Sequence, residues 1–280
     1  MPGPDLFAAD LALLRDAARG AGKIASSHFR RGAKVWDKGG GLGPVTEADL
    51  AVNDYLQATL TGARPDYGWL SEESDPLNDT ARLGRNRVFV VDPIDGTRAF
   101  IDGQPGFAHA LAVIEGGVPM AAVVYLPELD LLYAARRGAG ASLNEAAITA
   151  SQRPDARGAK VLAAKPVLDP MHWPGGLPLL ERHFRPSLAW RLALVGEGRF
   201  DAMLTIRDAW DWDIASAALI ATEAGARVTD RQGRPLRFNR ESARNPGVVA
   251  AGPQLHRALI KGLTDPQGVP QPPDLRGSSV

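Results

Sequence analysis

Apolar positions early in the chain recur with a helical period. Leu11, Leu14, Ala18, Ala21 and Ala25 follow one another at spacings of three and four, which predicts an amphipathic helix running to about Phe29 with Asp5 as its N-cap. A glycine-rich loop, Lys38 to Pro44, leads to a second helix opening at Thr46. This helix carries Val52, Tyr55, Leu56, Thr59 and Leu60 on one side and ends near Gly62 and Pro65. Tyr67 to Leu70 reads as a short strand that delivers Ser-Glu-Glu-Ser. The period then changes. Val88 to Val91 is an unbroken apolar run, the pattern of a strand buried on both faces. It is predicted to end at Asp92, where Pro93 turns the chain out of the sheet. Three further β runs between His109 and Ala141, divided by Gly-Gly-Val-Pro and Pro-Glu-Leu-Asp turns, predict an antiparallel meander. The polar stretch after Thr149 marks a boundary. Beyond it strands alternate with helices: VLAAK, a helix over Leu188 to Glu197, FDAML, a helix over Asp213 to Ala224, ARVTD, GVVAAG and a last helix. The expected organisation is an N-terminal α+β domain over 1–149, a C-terminal α/β domain over 150–263 and a flexible, proline-rich tail over 264–280.

Composition narrows the possible functions. With 280 residues, 45% of them hydrophobic, the chain can bury one large core or two modest ones. Basic and acidic residues are matched at 32 each, so no global field recruits a nucleic acid polymer or an anionic membrane. The absence of cysteine removes thiolate nucleophiles and thiolate metal sites, and is compatible with a reducing, cytoplasmic setting. His28, His109, His172, His183 and His256 are scattered without short-range pairing, which argues against a histidine-built zinc site. The N-terminal MPGPDLFAADLALL has no basic flank and is interrupted by acids, so it reads neither as a signal peptide nor as a transmembrane segment. A metal here would be held by oxygen.

The oxygen donors stand in awkward places. In VFVVDPIDGTRAF, Asp92 and Asp95 close a buried strand. Glu72 and Glu73 follow another apolar run. Asp211 and Asp213 are interleaved with Trp210 and Trp212 at the head of a helix closed by Gly225, and Asp49 stands three residues after Thr46, as in a capping box. Each has an ordinary reading alone: turn, solvated loop or helix cap. Gathered into one cleft they do not. Unit charges about 4 Å apart repel by about 4 kcal/mol at an effective dielectric of 20, and several such pairs would consume most of a domain's net stability of roughly 5–15 kcal/mol. Cations must intervene. Lys38 or an arginine can serve, but an oxygen-only site with room for water and phosphate is what Mg²⁺ prefers. The amides of Gly96 and Thr97, opening a helical turn, would add an anion site.

Four stretches, V45-T-E-A-D49, S71-E-E-S74, D92-P-I-D-G-T97 and W212-D-I-A-S-A-A-L-I-A-T-E-A-G225, resemble in sequence and in order the signatures of the inositol monophosphatase superfamily of Mg²⁺-dependent, lithium-sensitive phosphatases. The resemblance spans roughly Leu11 to Leu259. It implies a layered αβαβα sandwich of the inositol monophosphatase and fructose-1,6-bisphosphatase type, commonly a homodimer, acting on a small-molecule phosphate ester with two or three Mg²⁺ ions and inhibited by Li⁺. It implies Glu72, Asp92, the Ile94 carbonyl, Asp95 and Asp213 as metal ligands, with Asp92 bridging two ions and Glu73 behind them. Asp49 and Thr97, with Glu72, would serve the attacking water, and the Gly96 and Thr97 amides would hold the phosphate. Lys38, Arg98 and Asp211 are the expected substrate contacts. T97-R-A-F100 departs from the Thr-Thr-Asn-Phe of inositol-type members. Arg98 and D211-W-D213 are instead similar to members acting on 3′-phosphoadenosine 5′-phosphate. That bisphosphate leads, ahead of inositol 1-phosphate and then histidinol phosphate or fructose 1,6-bisphosphate. A noncatalytic binding protein on the same fold is the reading of another class, and the complete acid set speaks against it.

Overall fold

A computed structural model describes residues 6–39, 43–74 and 80–264. Asp5, the middle of the glycine-rich loop and the tail beyond Thr264 lie outside the described residues. The elements run α1 (Leu6–His28), β1 (Val35–Asp37), β2 (Pro44–Thr46), α2 (Glu47–Ala63), β3 (Gly68–Ser71), β4 (Arg87–Asp95), α3 (Thr97–Ile101), β5 (Ala108–Glu115), β6 (Val118–Leu126), β7 (Leu131–Arg136), β8 (Ala141–Leu143) and β9 (Ala146–Ala147). They continue with β10 (Ala159–Ala163), β11 (Leu180–His183), α4 (Leu188–Gly196), β12 (Ala202–Thr205), β13 (Ala209–Trp210), α5 (Asp211–Glu223), β14 (Arg227–Thr229), β15 (Arg244–Asn245), β16 (Val248–Ala251) and α6 (Pro253–Thr264). Strands β3 to β9 form a seven-stranded sheet in chain order, and a five-stranded sheet runs β11-β10-β12-β16-β14.

Three apolar clusters show how these pieces stack. In the first, α1 and α2 cover one face of the seven-stranded sheet, meeting Phe89 and Val91 of β4 and Leu111 and Val113 of β5. The small residues Ala18, Ala21 and Gly22 let α1 lie close to the strands. A Cβ on Gly22 would meet the Tyr125 ring at 2.7 Å. The alternate residues Val88 and Val90, with Ala110 and Ala112, face the other way and pack on α4 and α5, which in turn carry the inner face of the second sheet through Met203, Val248 and Ala250. Lying between two sheets, α5 is buried from Ile214 to Ala221, so its sequence is apolar all round rather than striped. Val161, Leu204 and Val249 point outward from the second sheet against Trp173 and the Leu255 and Leu259 face of α6. The result is the αβαβα sandwich, and its middle core is shared by both halves of the chain.

Three details differ from the expectations. β4 does not end at Asp92: the ladder breaks there and resumes, with Asp92 opposite Ala110 and Asp95 opposite Ala108, because a β-bulge absorbs the proline that cannot donate. The second sheet is mixed, since β16 runs antiparallel to both β12 and β14, and its edge strand β11 went unanticipated. Helix α5 begins at Asp211, with Trp210 at its N-cap, so Asp213 lies inside the first turn rather than capping it. Among the described residues no helix is long and apolar enough to cross a membrane.

Candidate active site

The bulge in β4 decides where its two aspartates point. Along β4 the even-numbered Val88 and Val90 face α4 and α5, and the odd-numbered Phe89 and Val91 face α1 and α2. Strict alternation would put Asp92 and Asp95 on opposite faces. The extra residue shifts the phase by one and brings both to the α4–α5 side, where Asp213 waits in the first turn of α5. One carboxylate oxygen from each of Asp92, Asp95 and Asp213 lies within 4.8 Å of the others.

Asp95 is held by the head of α4. Ser187 Oγ and the Ala189 amide donate to its Oδ2 at 2.7 and 2.6 Å, and the Leu188 amide donates to Oδ1 at 3.1 Å. The same Ser187 hydroxyl accepts from the Trp190 amide at 2.9 Å as the N-cap. Asp92 is treated differently: its Oδ1 is buried and has no hydrogen-bond partner among the described residues. Burial first, then the charges of Glu72, Asp95 and Asp213, push the Asp92 carboxyl well above its ordinary range. Burial, then Asp95 and Glu72, do the same to Asp213. Burial also raises Asp95, against its bonds to Ser187, Ala189 and Leu188. Crowded carboxylates with an unsatisfied buried oxygen are a donor set that fits a hard divalent cation.

Glu72 borders this trio. It is tied, with Glu73, to Lys38, whose Nζ lies 2.9 Å from Glu72 Oε1 and 2.7 Å from Glu73 Oε1. Burial lowers the Lys38 pKa, but the two glutamates outweigh it and the net shift is upward. Lys38 therefore balances the glutamate loop. Asp49 closes the capping box of α2: its Oδ2 accepts from the Thr46 hydroxyl at 2.6 Å and the Thr46 amide at 2.8 Å. Its Oδ1 faces Thr97 Oγ1 at 3.4 Å, and that hydroxyl is also 3.2 Å from the Ile94 carbonyl. Burial lifts Asp49 to about 6, with the Thr46 bonds opposing and Glu73 and Glu72 adding. Gly96 adopts φ 98°, the left-handed turn that starts α3, which a side chain would strain. Arg98 is exposed on α3.

Asp211 has a task beyond the one expected. It is fully buried, with Oδ2 accepting the Asn239 amide at 2.7 Å and Oδ1 accepting Asn245 Nδ2 at 3.0 Å. Each oxygen accepts a bond from the 239–245 segment, so Asp211 anchors that segment against the head of α5. Arg82, whose Nη1 donates to Asn239 Oδ1 at 2.6 Å, ties the same segment to the first half of the chain. Arg191 was not foreseen. Largely buried in α4, with its guanidinium donating to the Arg185 and Pro186 carbonyls, it brings a positive charge that acts on Asp95 and Asp213. An arginine on the buried face of an otherwise apolar helix was the available signal. Beside Asp213 opens a cleft of about 1370 Å³ lined by His172, Arg191, Arg207, Trp210 and Arg231.

Fold and acid cluster define a layered sandwich whose carboxylate trio, a donor set fit for a cation, borders a cleft. The sequence model of the inositol monophosphatase family matches residues 9–266. An inositol-1-monophosphatase of Mesorhizobium japonicum is 32% identical over 271 residues, covering 91% of this chain and 96% of that protein. The 3′(2′),5′-bisphosphate nucleotidase CysQ of Escherichia coli is 34% identical over 207 residues, covering 73% and 83%. The extragenic suppressor protein SuhB of Bartonella henselae superposes with a TM-score of 0.79 at 26% identity, covering 92% of this chain and 99% of that one. The chain belongs to the inositol monophosphatase family and is a phosphatase of that family.

Proposed function

We propose that this phosphatase is Mg²⁺-dependent and hydrolyses a small phosphate monoester. The observation that carries the reading is the trio Asp92, Asp95 and Asp213, whose oxygens converge within 4.8 Å while Asp92 Oδ1 has no partner among the described residues. Those three, with Glu72 and the Ile94 carbonyl, would hold the ions. Mg²⁺, when bound, supplies polarisation of the phosphoryl oxygens, neutralisation of developing charge and a lowered pKa for water. The chain does the rest. Thr97 Oγ1, directed between Asp49 and the Ile94 carbonyl, positions the attacking water, and the Asp49 carboxylate accepts its proton, a role commonly worth about 10² to 10⁴ in rate. The amides of Gly96 and Thr97 orient the phosphate.

Our leading substrate is 3′-phosphoadenosine 5′-phosphate. Exposed Arg98 and the arginines of the adjoining cleft, Arg191, Arg207 and Arg231, provide cationic partners for a second phosphate, which a hydroxyl-rich inositol ring would not use. Inositol 1-phosphate is the second reading, favoured by the longer match to the M. japonicum enzyme. The deciding experiment measures kcat/KM for both esters at equal Mg²⁺. The bisphosphate is expected to be preferred, and a preference for the inositol ester reverses the ranking.

A further inference from the structure

The structure points to a positioning role for one residue outside the acid constellation: we propose that His109 of β5 sets the Asp92–Asp95 pair by holding the Pro93 carbonyl. The inference rests on the Mg²⁺ reading above. It begins with register. Asp92 faces Ala110 and Asp95 faces Ala108, so Pro93 and Ile94 together stand opposite the single residue His109. That two-against-one step is the bulge that returns Asp95 to the side of Asp92 and Asp213, and it breaks the backbone ladder where it occurs. His109 Nδ1 lies 2.5 Å from Pro93 O. A carbonyl only accepts, so Nδ1 carries the proton and donates.

The rest of the ring does nothing else of a polar kind. His109 is fully buried in a strand whose remaining residues are apolar up to its closing Glu115, with Phe107 edge-on at 6.2 Å and Tyr125 at 6.4 Å between ring centres. Its Nε2 has no partner among the described residues. Burial lowers its pKa to about 4, so the ring is neutral and Nε2 bare at working pH. Packing alone would favour leucine at such a site, since a buried unpaired nitrogen is costly. The one interaction that offsets this cost is the bond to Pro93, made at the step on which the spacing of the two aspartates depends. The next carbonyl along, that of Ile94, faces the Thr97 hydroxyl, so orienting the 93–94 peptide also steadies this acceptor.

The test separates donor from bulk. His109→Asn keeps a donor close to the Nδ1 position. His109→Leu keeps the volume and removes the donor, and His109→Ala is a second donor-less variant. Mg²⁺ binding is measured by calorimetry in the presence of inorganic phosphate, alongside the Mg²⁺ concentration for half-maximal phosphate release and the thermal melt. Loss of an interaction that orients a ligand commonly costs about 10- to 100-fold in metal affinity. We expect at least the lower figure for Leu and Ala, with substrate KM at saturating Mg²⁺ unchanged, the melt of Leu close to wild type, and Asn restoring affinity. Wild-type affinity in the Leu variant, equal impairment of Asn and Leu, or donor-less variants that fail to fold while Asn folds would each overturn the proposal. A wild-type protein that neither takes up Mg²⁺ nor releases phosphate would overturn the parent reading, and the role of His109 with it.

Discussion

Replacing Asp213 by asparagine should stabilise the metal-free protein while abolishing turnover. Each pair among Asp92, Asp95 and Asp213 lies within 4.8 Å, so two ionised members repel by about 3.5 kcal/mol at an effective dielectric of 20. Asp213 takes part in two of the three pairs, so with all three ionised the repulsion it feels is on the order of 7 kcal/mol. The real gain is smaller. Burial and mutual repulsion already push Asp92 and Asp213 well up, so part of the repulsion is relieved by proton uptake, and Asp213 is partly exposed to screening solvent. About 2 kcal/mol is the working figure, and at roughly 2–4 °C per kcal/mol for a chain of this size the melting temperature should rise by about 4–8 °C. The sign of the pH dependence follows. An acid raised in the folded state binds protons more readily folded than unfolded, so the metal-free wild type should gain stability as pH falls from 8 through the raised values toward the unfolded value of 3.8. The variant's slope should be shallower. Differential scanning calorimetry in EDTA at pH 8 and pH 5, then with Mg²⁺, tests all of this. Saturating Mg²⁺ at about 100 times its Kd adds about 2.7 kcal/mol to the wild type alone and should reverse the order. A variant that melts lower than wild type without metal, and gains as much from Mg²⁺, would refute the reasoning.

Three smaller perturbations probe other parts of the site. Asp49, lifted to about 6, must be ionised to accept a proton, so kcat/KM should fall as pH drops through about 6. That limb should move lower as Mg²⁺ offsets Glu72 and Glu73, and Asp49→Asn should remove the limb and cut kcat by roughly 10²; an unchanged pH profile in Asp49→Asn assigns the limb elsewhere. Ser187→Ala removes both the α4 cap and a donor to Asp95. Denaturant unfolding should show a loss of about 1–2 kcal/mol, with weakened Mg²⁺ activation, and wild-type Mg²⁺ dependence would exclude Ser187 as a support of Asp95. Gly96→Ala should cost about 1–2 kcal/mol from its φ of 98° alone, because the nearest atoms to an added Cβ are no closer than 3.6 Å; stability equal to wild type would show that the left-handed turn is not required.

What could be read from the residues and what could not divides along sequence distance. Helices α1 and α2, the meander β5–β7 and the acids at strand and helix ends are local patterns of period, cap and turn, and they are where the spacing put them. The capping box at Thr46 and Asp49 is present in full. The bulge was not legible, because Pro93 signals only that a donor is missing; whether the chain leaves the sheet or bulges within it depends on a partner strand that resumes pairing at Ala108. The anchoring bonds of Asp211 were hidden for a similar reason. Next to Asp213 it looks like site chemistry alone, and its bonds to Asn239 and Asn245 exist only once the 239–245 segment has folded over α5. The grip of the α4 head on Asp95 joins residues 92 or more apart in sequence, beyond the reach of any local pattern.

The central claim is that these carboxylates from separate parts of the chain exist to hold Mg²⁺ against a phosphate. Isothermal titration calorimetry of Mg²⁺ into the wild type and into Asp95→Asn, each with inorganic phosphate present, addresses it most directly. Saturable uptake by the wild type and none by the folded variant is the predicted result. No uptake by the wild type, or equal uptake by both, would contradict it.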